Sequence, residues 1–354
     1  MPATKVLIVD DSSLIRQILT EILGQDRSIE VVGSAPDPYL AWEKIRVLEP
    51  DVLTLDVEMP RMNGLTFLDR LMRVRPTPVV MVSSLTEKGC QTTLRALELG
   101  AVDFVTKPKL DVSNGTFELA NEIVEKVKAA ARAKPRVRGR SNAPAPVLPA
   151  RSGGAMVDAA KKVICIGAST GGTEALYDVL TAMPADAPGI VIVQHMPAGF
   201  TRSFAARLDS ACQIRVKEAQ SGDRILPGNA LLAPGGQHIE VARSGANFVV
   251  RVTKGEPVNR HRPSVDVLFH SAARRLGSNA IGVLLTGMGN DGARGMLAMR
   301  QAGAHTIAED ESTCVVFGMP KEAIAMGGAK EVLPLHKIPD GIRRAAETMV
   351  LVGV

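Results

Sequence analysis

The chain is poor in aromatic side chains, which make up 3% of its 354 residues. Surfaces that bind single-stranded nucleic acid stack bases on such rings, so a stacking platform is excluded. Cysteine is scarce too: Cys90, Cys165, Cys212 and Cys314 are widely spaced, with no Cys-x-x-Cys. That spacing suggests neither a zinc knuckle nor a disulfide framework, and the four read as isolated thiols. No apolar run approaches the roughly 18 residues that cross a bilayer. The opening, MPATKVLIVDD, enters a strand pattern at once, without a basic segment, a long apolar stretch or a small-residue cleavage site. A cytoplasmic protein, not embedded in a membrane, is expected.

Acids are missing from one stretch. Between Lys126 and Arg151 lie eight basic residues and no carboxylate, and removing those eight turns the net charge of +5 into −3. The basicity therefore belongs to one segment and does not describe a groove for DNA or RNA, so no nucleic-acid partner is expected. Within it, KPRVRGRSNAPAPVLPARSGGAMV (134–157) is rich in Pro, Ala, Gly and Arg without periodicity, as a linker would be. The expected division is residues 1–125, a basic linker over 126–157, and a second domain over 158–354.

What remains suffices for two cores: 45% of the chain is hydrophobic and 22% charged. Residues 1 to about 125 alternate apolar runs (KVLIVD, IEVVGSA, DVLTLD, PVVMVSS, VDFVTKP) with amphipathic stretches. This five-fold β-α rhythm predicts a doubly wound parallel sheet, whose ligand chemistry lies beyond the carboxyl ends of the strands. Asp10 and Asp11, Asp56, Ser83 and Lys107 all fall at such ends. Three clustered carboxylates repel one another unless a hard cation such as Mg²⁺ joins them.

These positions resemble the hallmarks of response-regulator receiver domains over roughly residues 4 to 125. The resemblance implies that Asp56 accepts a phosphoryl group from a histidine kinase. Asp10, Asp11, Asp56 and the backbone carbonyl of Glu58 would hold Mg²⁺, and Lys107 and the Ser83 hydroxyl would engage the phosphoryl oxygens. Phe104 occupies the aromatic switch position, where plain core packing would equally account for it.

From about residue 160 the α/β rhythm returns in KVICIGAS, GIVIVQH, AIGVLLTG and AHTIAED, while residues 214–254 read as an antiparallel β-hairpin excursion. The stretch VICIGASTGGTEAL is a buried strand, a glycine-rich turn and a helix opening, a frame that either cradles phosphate or presents a nucleophile. Gly-x-Gly-x-x-Gly is absent, and no acid closes a second strand about 20 residues on, as a dinucleotide would need. Instead Ser169, His195 and Asp291 lie at three β-to-α turns, a set suited to acyl transfer. Singly, each has a plainer reading: Ser169 and Asp291 as helix caps, His195 as a strand end. The flanking Gly171 and Gly172 would clear the approach path of a bulky substrate. The other histidines read as structural.

The segments GASTGG, QHMP, LAPGG, RPSVDVLF, LTGMGNDGA and CVVFGMPK, in this order, resemble the catalytic domain of the CheB chemotaxis methylesterases. The resemblance implies a Ser169–His195–Asp291 triad, the Met288 N–H in the oxyanion hole and Thr170 in support, with no cofactor for ester hydrolysis. It further implies demethylation of glutamate γ-methyl esters on chemoreceptors, deamidation of selected receptor glutamines, and a receiver that blocks the catalytic cleft until phosphorylated.

Overall fold

The computed structural model describes residues 2–84, 86–108, 115–133 and 162–348. The chain divides into two compact units, Met1–Ser141 and Asn142–Val354.

The first unit runs β1 (Thr4–Val9), α1 (Ser13–Gly24), β2 (Ile29–Ala35), α2 (Pro38–Leu48), β3 (Val52–Asp56), α3 (Gly64–Val74), β4 (Val79–Ser83), α4 (Glu87–Glu98), β5 (Asp103–Thr106) and α5 (Gly115–Arg132). The strands pair in parallel in the order β2-β1-β3-β4-β5. The central strands are apolar runs because helices bury both their faces: Val6 to Val9 and Val79 to Val82 are essentially without exposure. Ser12, Asp37, Asn63 and Thr86 each accept an N–H from the first turn of the helix they precede. At the start of α3 only a glycine fits, because a Cβ on Gly64 would collide with the Asp56 carbonyl. That tight packing fixes the strand end that carries Asp56.

The last helix continues past residue 125, where the sequence reading began the linker. Val127, Ala129, Ala130 and Ala133 are buried, and α1 and α5 are in contact. Lys128 reaches Asp26 at 3.3 Å. The first basic residues of the acid-free stretch thus belong to an amphipathic helix. Residues 134–157 lie outside the described residues.

The second unit runs β6 (Val163–Ala168), α6 (Gly172–Thr181), β7 (Gly189–Gln194), α7 (Phe200–Ala211), β8 (Arg215–Glu218), β9 (Asn229–Leu232), β10 (His238–Ser244), β11 (Asn247–Thr253), α8 (Val265–Leu276), β12 (Ala280–Leu284), α9 (Ala293–Gln301), β13 (His305–Glu309), α10 (Met319–Ala325), β14 (Glu331–Leu333) and α11 (Ile338–Thr348). Seven parallel strands form one sheet in the order β14-β13-β12-β6-β7-β9-β8. The antiparallel excursion is confined to β10–β11. The NALL segment, expected within it, is instead β9, paired in parallel with β7. Its Ala230, Leu231 and Leu232 are all buried, the continuous apolar pattern of a strand covered on both faces. β6 lies between β12 and β7, so the chain leaves the sheet's centre in both directions from one strand, where such sheets place their clefts.

Candidate catalytic and phosphorylation sites

In the first unit, four neighbouring strands bring their carboxyl ends together. Asp10, Asp11 and Asp56 each offer an oxygen, all within 4.8 Å of one another. Lys107 donates to Asp56 Oδ2 at 2.7 Å and lies 3.5 Å from Asp10 Oδ2, which has no hydrogen bond among the described residues. The Glu58 N–H donates to Asp56 Oδ1 at 3.2 Å. Burial pushes the Asp56 carboxyl up to about 6, against the pull of the Lys107 hydrogen bond and with the Asp10 charge adding to the rise. Asp10 is raised by burial as well. Crowded, buried, incompletely satisfied carboxylate oxygens are a donor set that suits Mg²⁺.

Ser83 is turned elsewhere. Its hydroxyl accepts from Thr93 Oγ1 at 2.6 Å, against α4. Phe104 is buried, and Lys126 both donates to its carbonyl at 2.7 Å and sits 5.0 Å above its ring.

The raised Asp56 sets a pH dependence. A carboxyl raised on folding contributes stability that is full below its unfolded value and lost as pH rises through its folded value. Without divalent cations the first unit is therefore expected to weaken between the ordinary 3.8 and about 6. Added Mg²⁺ should raise its unfolding midpoint at about pH 7.5 and much less at about pH 5. Trp42, the only tryptophan, packs edge-on against Phe67 in this unit, so its fluorescence follows the transition. An equal Mg²⁺ effect at both pH values would refute the assignment.

In the second unit, Ser169 follows β6 directly. Its N–H donates to the Thr286 carbonyl at 3.0 Å and its own carbonyl accepts from Gly172 at 2.7 Å, closing a sharp turn into α6. Gln194 Nε2 braces that carbonyl at 2.9 Å. Ser169 is not a helix cap: the N-cap of α6 is Gly171. Because Ala168 pairs with Gln194, Ser169 and His195 leave adjacent strands side by side, and the His195 N–H donates to the Ala168 carbonyl at 3.1 Å.

The glycines of the turn are also required by packing. Gly171 has φ +77°, and a Cβ there would meet Val315 Cβ at 2.5 Å; one on Gly172 would run into Gln194 and Ala168.

Nor does Asp291 cap its own helix, whose N-cap is Gly292. Its carboxylate accepts from five donors. Oδ2 takes His195 Nε2 at 2.8 Å and the Val265 N–H at 2.7 Å. Oδ1 takes Asn259 Nδ2 at 2.7 Å, Ser264 Oγ at 2.8 Å and the Asp266 N–H at 3.2 Å. Asp291 thus sits on the positive end of α8. Asp266 reciprocates by accepting the Gly295 N–H at 2.6 Å, in the first turn of α9. Burial alone would raise Asp291, but the hydrogen bond and charge of His195, with the amide and hydroxyl donors, outweigh it and hold the carboxyl well below its usual range.

An ionised Asp291 fixes the proton of His195 on Nε2. The other nitrogen, Nδ1, is buried and has no hydrogen-bond partner among the described residues. The roles of the two ring nitrogens are thus reversed relative to the common serine-protease pattern, in which the acid holds Nδ1.

The sequence reading assigns no role to four residues of this site, Asn259, Gln194, Asp266 and His261, although Gln194 stands in QHMP and Asp266 in RPSVDVLF. His261, taken there as structural, stacks on His195 with centroids 3.7 Å apart and planes 8° from parallel. His195, His261 and Asp291 could in principle offer ligand atoms to a metal. A carboxylate has about four acceptor positions, and five donors already converge on this one, so the donor set fits a hydrogen-bonded triad better than a metal centre. His238 remains structural, accepting the Ser264 N–H at 3.2 Å.

His261 closes a tight turn. Val258 and His261 exchange both backbone hydrogen bonds, at 3.1 and 2.9 Å, and the residues between have φ 51° (Asn259) and 66° (Arg260). This is a type I′ turn, whose second central position favours glycine; a side chain there costs roughly 1–2 kcal/mol.

Thr170 is buried, and its carbonyl accepts from Thr286 Oγ1 at 3.0 Å. The buried Glu309 in turn accepts the Thr286 N–H at 2.8 Å. Gly287 lies so close to Ser169 that an added Cβ would meet the Ser169 Cβ at 2.7 Å. The next residue is Met288, whose N–H donates to no group among the described residues.

Comparison with known proteins gives the family of each part of the chain. Residues 164–342 match the family model described as CheB methylesterase, and residues 6–113 match the response regulator receiver domain. The chain is 62% identical to the protein-glutamate methylesterase/protein-glutamine glutaminase 1 of Geobacter metallireducens, over 95% of this chain and 94% of that one. It is 60% identical to the protein of that name numbered 2 in Cupriavidus pinatubonensis, over 94% and 93%. The crystal structure of the CheB methylesterase catalytic domain of Thermotoga maritima is 43% identical, with a TM-score of 0.51, covering 52% of this chain and 97% of that one.

Proposed function

Since the chain belongs to the CheB methylesterase family and carries a response regulator receiver domain ahead of the catalytic one, we propose that it is a phosphorylation-activated protein-glutamate methylesterase. It hydrolyses glutamate γ-methyl esters on methyl-accepting chemoreceptors and deamidates selected receptor glutamines. A chemotaxis histidine kinase supplies the phosphoryl group to Asp56 with Mg²⁺ held by Asp10, Asp11, Asp56 and the Glu58 carbonyl. The protein works in the cytoplasm; no helix among the described residues is long and apolar enough to cross a membrane. We assign residues 1–133 to the receiver, 134–157 to the linker and 158–354 to the catalytic domain.

One observation carries the catalytic reading: His195 gives Nε2 to Asp291 and keeps a buried, unpartnered Nδ1 on the strand end beside Ser169. In the reaction Nδ1 takes the hydroxyl proton as Ser169 Oγ attacks the ester carbonyl. Asp291 steadies the imidazolium. The Met288 N–H, with the N-terminus of α6, receives the developing oxyanion, and Thr170, through the bond from Thr286, keeps that loop registered against the nucleophile. Collapse breaks the ester C–O bond, and His195 returns its proton to the departing methoxide, giving methanol. Water, deprotonated by His195, then attacks the acyl-enzyme, releasing glutamate and Ser169. With a glutamine substrate ammonia departs instead.

Methanol release from methylated receptor membranes tests the activity, and a serine-directed phosphonate tests the nucleophile. Methanol should appear faster with a small phosphodonor, and the phosphonate should label Ser169. No methanol from any methylated receptor fraction would refute the function, and labelling elsewhere would refute the nucleophile.

A further inference from the structure

The type I′ turn beside the catalytic histidine holds an arginine where its backbone favours glycine. Both neighbours of Arg260 touch the triad: Asn259 donates to Asp291 at 2.7 Å, and His261 stacks on His195. Two anchored flanks leave residue 260 little freedom in position, and it stands at the edge of the site. Its side chain is exposed and forms no ion pair among the described residues. A strained position occupied by a bulky, unpaired cation at a functional site is a reason to look for a role.

The exposed charges of this loop are mostly positive. Lys254, Arg260 and Arg262 are exposed around the turn, with Glu256 the one acid in residues 254–263. Arg262 donates to the Gly255 carbonyl at 2.8 Å, which ties its guanidinium to the loop. Arg260 has no such tie among the described residues. A guanidinium free at the mouth of a site suits a carboxylate, which it can grip with two parallel N–H groups.

We propose that Arg260 is a specificity-determining residue that recognises a carboxylate next to the target side chain, selecting acidic helical segments as substrates. This rests on the esterase reading above and names which glutamyl esters the site prefers. On a substrate helix the side chains three or four residues from the target lie on the same face, within reach of a group at the rim. Pairing at an exposed rim acts on encounter and binding more than on chemistry, so it should appear in KM and weaken with salt.

The test uses the full chain with a small phosphodonor and Mg²⁺, and two helical peptides bearing one glutamyl γ-methyl ester. One carries glutamate four residues before and after the ester, the other alanine at both places. The wild type is expected to prefer the acidic peptide by about fivefold in kcat/KM, through KM. Arg260→Gly should abolish the preference, Arg260→Glu should reverse it, and Arg260→Lys should keep part of it. Because glycine suits the backbone here, Arg260→Gly should melt no lower than the wild type.

Equal wild-type kcat/KM on both peptides, or a preference that survives Arg260→Glu, would overturn the proposal. An Arg260→Gly variant that melts lower and loses activity equally on both peptides would show a structural role and overturn it too. Failure of the wild type to cleave either peptide or any methylated receptor would instead remove the esterase reading itself.

Discussion

Ser169→Ala and His195→Ala are each expected to slow ester hydrolysis by about 10³-fold or more, and the double variant little further, since triad members act as a unit. The surroundings explain why no substitute steps in. Thr170 is buried beside Ser169, and the Thr286 hydroxyl is engaged with the Thr170 carbonyl and the Val316 N–H. Neither can take the serine's place at the turn. Asp291→Asn should be damaging for two reasons. The amide would lose the charge that holds the proton on His195 Nε2, and its NH₂ would point a donor at a position where donors already converge. Methanol release checks the rates, and circular dichroism confirms that each variant folds. A Ser169→Ala rate within tenfold of the wild type would end the triad assignment.

Much of this was legible in the sequence because a parallel sheet gathers the carboxyl ends of its strands. A chemically active residue at such an end is near its counterparts wherever they lie in the chain, as Ser169, His195 and Asp291 do. The order of the strands was less visible. β8 (RVKE) and β9 (NALL) are four-residue segments between turns, and nothing local distinguishes a parallel addition to the sheet from a hairpin. The surroundings of Asp291 were least visible. Asn259 and His261 arrive on a loop whose contacts are set by a turn containing no glycine. Ser264 and Asp266 did stand within a motif, RPSVDVLF, but their role needs two facing helix ends, a relation that exists only in three dimensions. The glycines after Ser169 have a reason that the sequence could not show, since Val315 and Gln194 occupy the space their side chains would need. In the linker, charge composition masked a helical face: Val127 and Ala130 are buried while Lys126 and Lys128 reach acids around them.

Asp56→Asn is expected to abolish stable phosphoryl incorporation from a small phosphodonor, while the wild type incorporates it in the presence of Mg²⁺. Three carboxylates stand at this site, and their settings differ. Asp11 is exposed at the rim. Asp10 is buried but accepts the Ser12 N–H at 2.9 Å, which ties it to the start of α1. Asp56 alone has the Lys107 ammonium bonded at 2.7 Å, placed to follow the charge onto a phosphoryl oxygen. A phosphoryl group adds roughly −1.5 to −2 charges, which Asp10 and Asp11 would repel without a divalent cation, so chelation should stop incorporation in the wild type. The new oxygens would also compete for the Ser83 hydroxyl, now held by Thr93 of α4. Taking it would loosen the hold on α4 at Thr93, whose Oγ1 also lies 2.8 Å from the Gly89 carbonyl in the first turn of that helix. Such a local rearrangement would supply the bias by which a charge at one strand end alters a two-state surface. The Asp56→Asn chain should accordingly release methanol at the rate of the unphosphorylated wild type, with or without phosphodonor. Incorporation equal to the wild type would move the phosphorylation site elsewhere. Phosphodonor stimulation that persists in Asp56→Asn would separate activation from Asp56 altogether.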